Sequence, residues 1–235
     1  MTVWEALDRL DELREYEAAL SSEAGTPHLD PSMSLKEHAL QTAELCRLAH
    51  PHLDWLTLVG LIHGLGKLMA HPLFGSQPQW SVCGETYPLG CRFDPQIEGA
   101  QFFSANPDRR RRLFTASQTG MYSPCCGLLH VATSWSAAEM LYLTLLLNNI
   151  ALPQEALFVL RHQKFYSVTR PSGSPYQQLL SEADRSMLPL LASFQKLAAY
   201  RRVALPAKSA LKGQAQRDYY DSLLQKYQLD KQLAW

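Results

Sequence analysis

The chain carries no excess of charge. Lysine plus arginine and aspartate plus glutamate each number 22 in 235 residues, so the formal net charge is zero. No global field draws it to nucleic acid or to an anionic membrane, and any charge-driven contact has to be local. Long apolar runs are missing too. Met140 to Leu147 is strongly apolar, but no stretch reaches the roughly 18 to 20 residues that a bilayer span requires, and no membrane span is expected. Met1 to Leu20 contains Glu5, Asp8, Asp11, Glu12, Glu15 and Glu17, too acidic for a transit peptide and too charged for a signal sequence. It reads as a helix of the mature fold. With no secretory leader ahead of them, the five cysteines, an odd number, read as free thiols in a reducing compartment. Location is therefore expected to be intracellular, cytoplasmic by default, with an organelle left open.

Strict alternation of apolar and polar residues is also scarce, whereas helical spacing recurs, so the fold class is all-α. A hydrophobic content of 46% suffices for one buried core, and residues 1–235 are expected to form a single domain. Val3, Leu7, Leu10 and Leu13 outline a first amphipathic helix, followed by a loop over Ser21 to Ser34. Ser34 precedes Glu37 by three residues, a capping box opening the helix that holds His38, Thr42 and Leu45. Trp55 to Met69, apolar on nearly every side, predicts one central helix. Further helices are predicted near Cys126 to Asn148, Pro153 to Tyr166, Ser181 to Arg202 and Ala215 to Tyr227. From Pro72 to Asn106 the pattern dissolves into glycine, proline and aromatic residues. This stretch predicts an irregular or β-hairpin insertion, with Gln79 to Val82 and Glu85 to Tyr87 as short strands or ordered loop, and it is the expected place for a binding surface.

One further absence bears on chemistry. In Leu58-Val59-Gly60-Leu61-Ile62-His63-Gly64-Leu65-Gly66-Lys67 the histidine is followed by glycine, where an HD-type metallohydrolase or oxygenase helix has an aspartate that shares the metal. Other stretches extend the likeness: Met1-Thr2-Val3-Trp4-Glu5-Ala6, His38 to Glu44, Pro78-Gln79-Trp80 to Gly90-Cys91-Arg92, Gly120-Met121-Tyr122, Ser134-Trp135, Phe165-Tyr166, Met187-Leu188-Pro189 and the final tryptophan. In these motifs, in order along nearly all of its length, the chain resembles the myo-inositol oxygenase family. The resemblance implies an all-helical HD-like domain that holds two bridged irons and oxidises myo-inositol to glucuronate with dioxygen. It implies six iron ligands, four histidines and two aspartates. His38 and His63 match the first two histidines. The bridging aspartate falls on Gly64, the third histidine on Ala137, the fourth on Gln163 and the last aspartate on Ala198. Two neutral imidazoles fall short even of the three protein ligands usual at an open catalytic site. The resemblance places Lys67 and Arg202 at the two family lysines near the polyol and Glu85 at the loop aspartate that receives inositol hydroxyls. The family's N-terminal lid extension is expected to be absent.

The resulting expectation is a catalytically inactive relative, a pseudoenzyme with no cofactor, kept as a structural or interaction subunit of a larger heteromeric protein assembly. The alternative is a rebuilt pocket, belonging either to a di-iron or mononuclear metal oxygenase of the inositol oxygenase type or to a polyol- or phosphate-binding module. Cys126 with His130, four residues apart, and His162, beside Gln163, are the residues that could rebuild a metal site. His28, His50, His52 and His71 fall in or beside loops and are expected to be solvated. The biased tract Arg109-Arg110-Arg111-Arg112 concentrates positive charge and is the candidate contact for an acidic partner.

Overall fold

Thr2 and Ser34 open the first two helices in the same way. Each side chain accepts the backbone N–H three residues on, from Glu5 and Glu37, whose own side chains accept the cap N–H in return. The helices that follow are α1, Val3–Asp11, and α2, Leu35–Ala49. In this computed structural model, residues 1–13, 33–170, 173–205, 211 and 213–235 are described. The segment expected to continue the first helix beyond residue 13, most of the 21–34 loop, and His28 lie outside them.

Five more long helices complete the body: α3 (Asp54–Ile62), α4 (Ala137–Leu147), α5 (Gln154–His162), α6 (Glu182–Leu197) and α7 (Gly213–Lys226). The all-α expectation holds. α3 buries every residue from Leu56 to Ile62, so it runs through the middle of the main core, which draws apolar side chains from all seven helices. Its contact with α2 is backbone to backbone. A Cβ on Gly60 would lie 2.7 Å from Ala43 Cα, closer than carbon atoms tolerate. A second apolar cluster, including Cys91, Ile97, Leu128, Phe165, Tyr176 and Leu191, lies beneath the irregular segments.

The predicted central helix from Trp55 to Met69 is not continuous. It stops at Ile62, and a 3₁₀ segment, Leu65–Ala70, takes over after Gly64. Gly66 explains the change of path: a Cβ there would lie 1.8 Å from the carbonyl oxygen of Ala137, so the chain presses its backbone against the first residue of α4. The predicted helix from Cys126 to Asn148 likewise begins only at Ala137, because Gly127 takes φ 89° and Ser136 supplies the cap by accepting from Glu139 N–H. Half of the apolar run on α4 is not core. Leu141 and Leu145 are buried, whereas Leu143, Leu146 and Leu147 are exposed.

Residues 72–106 resolve in favour of the irregular alternative. Gln79–Val82 is a single helical turn rather than a strand, and the segment holds 3₁₀ turns at Pro72–Phe74 and Ala100–Ala105. Among the described residues the bridge between Pro88 and Thr133 is isolated and forms no hairpin. Pro88 has no N–H to give to a ladder, and Gly84, Gly90 and Gly99 all take positive φ, which breaks the extended path. Glu85 to Tyr87 is instead pinned as loop, Thr86 N–H donating to Lys164 C=O and Ser134 N–H to Tyr87 C=O. Among the described residues, no helix is long and apolar enough to cross a membrane.

Candidate functional site

α2 places His38 one turn from its start, and the end of α3 places His63 against it. The two rings stand edge to face with centroids 5.1 Å apart. Both side chains are buried. His63 Nδ1–H donates to the Gly60 carbonyl at 2.7 Å, which leaves Nε2 without a proton in the neutral ring. His38 Nε2 lies 3.4 Å from the Thr42 hydroxyl, and the ring also bonds the backbone of Ala199. Tyr200, just beyond α6, lays its ring 4.6 Å from that of His38, and its hydroxyl donates to the carbonyl of Met33. Phe194 closes the opposite side, edge-on to His63 at 5.9 Å.

Cations surround this imidazole pair. The 3₁₀ segment after Gly64 carries Lys67, whose Nζ lies 5.6 Å from the centre of the Tyr200 ring. Lys164, in the turn after α5, donates to the Tyr166 hydroxyl at 3.4 Å. Burial is the main force holding His38 down to about 2, followed by His63, Lys67 and Lys164, all of which oppose a positive ring. Burial likewise pushes His63 down to about 3, opposed by the Gly60 bond and reinforced by Lys164 and Lys67. Both rings are therefore neutral at physiological pH. They can accept or donate hydrogen bonds, and they are poor general acids there.

The four positions assigned by resemblance to lost ligands border the same place. Gly64 follows His63, Ala137 begins α4, Gln163 caps α5 and Ala198 caps α6. Gln163 acts as a strut. Its amide N–H donates to the carbonyls of His63 and Leu160, both at 3.0 Å. His162 points elsewhere, its Nδ1–H donating to Phe158 C=O at 2.9 Å, while Nε2 is buried without a partner. Cys126 and His130 do not share a helical face with Ala137, because Leu128–His130 is a separate 3₁₀ turn and His130 is exposed.

Glu85 serves the loop. One oxygen accepts from Ser167 N–H and Oγ–H at 2.8 and 2.6 Å, and the other accepts from Glu98 N–H at 3.2 Å and Arg170 at 2.7 Å. Arg202 reaches Glu37 at 3.5 Å, with both side chains about half exposed. Arg109 to Arg112 sit on two short helical turns apart from the imidazole pair, and Arg111 lies 3.5 Å from Asp108. His71, expected in solvent, is buried and pairs with Glu12 at 2.8 Å, and His50 reaches Ser193 at 2.8 Å. Tyr200 and Lys164 carry no motif signal of their own, although each stands within two residues of a position that the resemblance assigns to an iron ligand.

Comparison with known proteins gives these features a context. The family model for myo-inositol oxygenase matches residues 1–235. Inositol oxygenase of Pongo abelii is 41% identical over 229 residues, covering 97% of this chain and 73% of its own. That of Bos taurus is 40% identical over the same length and coverage. Inositol oxygenase 1 of Arabidopsis thaliana is 35% identical over 235 residues, all of this chain and 70% of its own.

These matches correct the expectation that the chain takes no cofactor, since they set it among oxygenases, for which the resemblance implies iron. Of the six positions that the resemblance implies as iron ligands, His38 and His63 are the two that carry histidine. Among the described residues no third histidine, cysteine or carboxylate joins them in a set able to hold a metal ion. Two nitrogen donors do not fit a bridged pair of irons, whose oxygen ligands come chiefly from carboxylates. With a family model matched from first residue to last and relatives similar along almost the whole chain, the protein belongs to the myo-inositol oxygenase family.

Proposed function

We propose that this chain is an inositol oxygenase-type protein with a rebuilt pocket, which binds a polyol at the cluster of His38, His63, Lys67 and Tyr200. The observation that carries this reading is the convergence of these four side chains, from α2, the end of α3, the 3₁₀ segment and the chain beyond α6, onto one place. Neutral imidazoles and an ammonium group offer the mixture of donors and acceptors that ring hydroxyls require. The names of the relatives support inositol as the parent ligand. Binding is the part of the family's activity that the residues support, because Gly64, Ala137 and Ala198 bring no donor atom and Gln163 spends its amide N–H on main-chain carbonyls.

Isothermal titration with myo-inositol tests this. Saturable binding is expected, and His38→Leu, which keeps the bulk but removes both ring nitrogens, is expected to weaken it about tenfold, the worth of one lost hydrogen bond at a desolvated site. Absence of saturable heat, or equal affinity in the variant, would overturn the reading. Glucuronate formed after loading with Fe(II) and exposure to dioxygen would place the chain among active oxygenases instead.

A further inference from the structure

Arg109, Arg110, Arg111 and Arg112 are all exposed. They occupy a 3₁₀ turn, Pro107–Arg110, and a single α-helical turn, Arg112–Thr115, joined at Arg111. Asn106 fixes the start of the first turn by accepting from Asp108 N–H at 3.0 Å. A fifth cation is tied to the same surface, since the exposed Arg92 donates a guanidinium N–H to the Thr115 carbonyl at 3.0 Å. Against these stands Asp108, 3.5 Å from Arg111. Among the described residues, Arg109, Arg110 and Arg112 make no ion pair.

Apolar side chains lie open beside the arginines. Leu113 is 68% exposed, and Phe102, on the 3₁₀ segment Ala100–Ala105 just before the tract, is 72% exposed. Phe103 takes the inner place, its ring 4.9 Å from Tyr87 and 4.4 Å from Phe93, so its neighbour is left outside. Consecutive residues on tight turns project about 120° apart. A rigid partner therefore meets only some of these arginines, whereas a fluid bilayer brings a mobile headgroup to each. An RNA backbone pairs with cations too, but it offers an aliphatic leucine neither a stacking face nor an escape from water. With zero net charge on the whole chain, the attraction is confined to this tract.

We propose that this surface docks on an anionic lipid bilayer, with Arg92 and Arg109 to Arg112 among the headgroups and with Leu113 and Phe102 in the boundary of the acyl chains. Reversible membrane binding takes two signals, and the basic tract and the apolar side chains supply one each. Each arginine near such a surface adds about fivefold in affinity. The proposal is independent of the polyol reading, because it shares no residue with the cluster that carries it.

Sedimentation of the full chain with phosphatidylcholine vesicles, with and without about one-third phosphatidylserine, tests it. Binding to the mixed vesicles is expected to be at least about tenfold tighter than to phosphatidylcholine alone, and to fall steeply as salt rises from about 0.05 M to about 0.5 M. Replacing two arginines together, Arg110→Gln with Arg112→Gln, is expected to weaken binding about 25-fold, about fivefold for each. Leu113→Ser is expected to weaken it about fivefold at every salt concentration, as one leucine is no longer drawn partly out of water. Both variants are expected to melt like the parent, because these side chains are exposed. Equal pelleting with and without phosphatidylserine would overturn the inference, as would no pelleting with either vesicle. A double variant that binds like the parent would overturn it as well. Tighter binding to a single-stranded RNA homopolymer than to the mixed vesicles would give the tract to nucleic acid and overturn it too.

Discussion

Acidification from pH 7 to pH 5 is expected to remove about 6 kcal/mol of folding stability, enough to unfold a typical domain. Burial holds His38, His63 and His162 at about 2, 3 and 4 in the folded chain, against 6.5 for an exposed imidazole. At pH 5 all three stay neutral in the folded state and are protonated in the unfolded state. Protons are therefore taken up on unfolding, and each imidazole adds about 2 kcal/mol of destabilisation at that pH. Stability is complete above about pH 7.5 and falls as pH drops through 6.5 toward the folded values, where the loss levels off. The carboxylates of Glu12, held low by His71 and Arg9, and of Asp54, where burial is outweighed by Lys226 and Tyr227, add to the loss only at lower pH. Urea denaturation at the two pH values measures the difference. His162→Leu is expected to reduce the pH slope by about one proton, since that side chain alone accounts for one of the three. A midpoint independent of pH between 7 and 5 would show that these imidazoles are not buried neutral.

Gly66→Ala is expected to destabilise the fold by more than about 3 kcal/mol, at the upper end of what overpacking costs. The added carbon would lie 1.8 Å from Ala137 O and 2.6 Å from Ala137 C, which are main-chain atoms at the start of α4 and cannot swing aside. Gly64→Asp, two residues earlier, is expected to change stability by less than about 1 kcal/mol, as surface-like substitutions without a clash do. Its backbone is right-handed, φ −88° and ψ −9°, and an added Cβ would come no nearer than 3.9 Å, to Leu10 Cδ1. Thermal melts of the two variants give the comparison. The glycine at the ligand position is thus not demanded by the backbone, whereas its neighbour at 66 is. A carboxylate placed at 64 would join His38 and His63 in a set of two imidazoles and one carboxylate, known for single iron sites.

The long helices were legible because their signals are local. Ser34 with Glu37 gives a reciprocal cap, and the spacing of Val3, Leu7, Leu10 and Leu13 marks a buried face. The break after Ile62 was not legible, since it depends on the approach of Ala137, more than seventy residues away, to Gly66. Residues 72–106 were legible as irregular from their glycines and prolines, but their tie to Lys164 and Ser134 is a tertiary matter. The imidazole pair could be named from the motif, and its partners could not. Tyr200 and Lys164 face His38 and His63 only once α5 and α6 have packed, and no spacing in the chain records that. Glu85 shows the opposite limit, a residue singled out for a pocket whose carboxylate accepts from Ser167, Arg170 and the backbone of Glu98, contacts set by tertiary packing. Counting donors along the chain pointed to no cofactor, whereas similarity along the whole chain sets it among oxygenases.

The claim on which the rest depends is that the family's pocket survives here as a polyol site. A crystal of the full chain soaked with myo-inositol measures it most directly. The expected result is a polyol within hydrogen-bond reach of Lys67 Nζ and of the His38 and His63 rings, beside Tyr200. A polyol bound at some other place, or a cluster that stays free of polyol at saturating concentration, would contradict it.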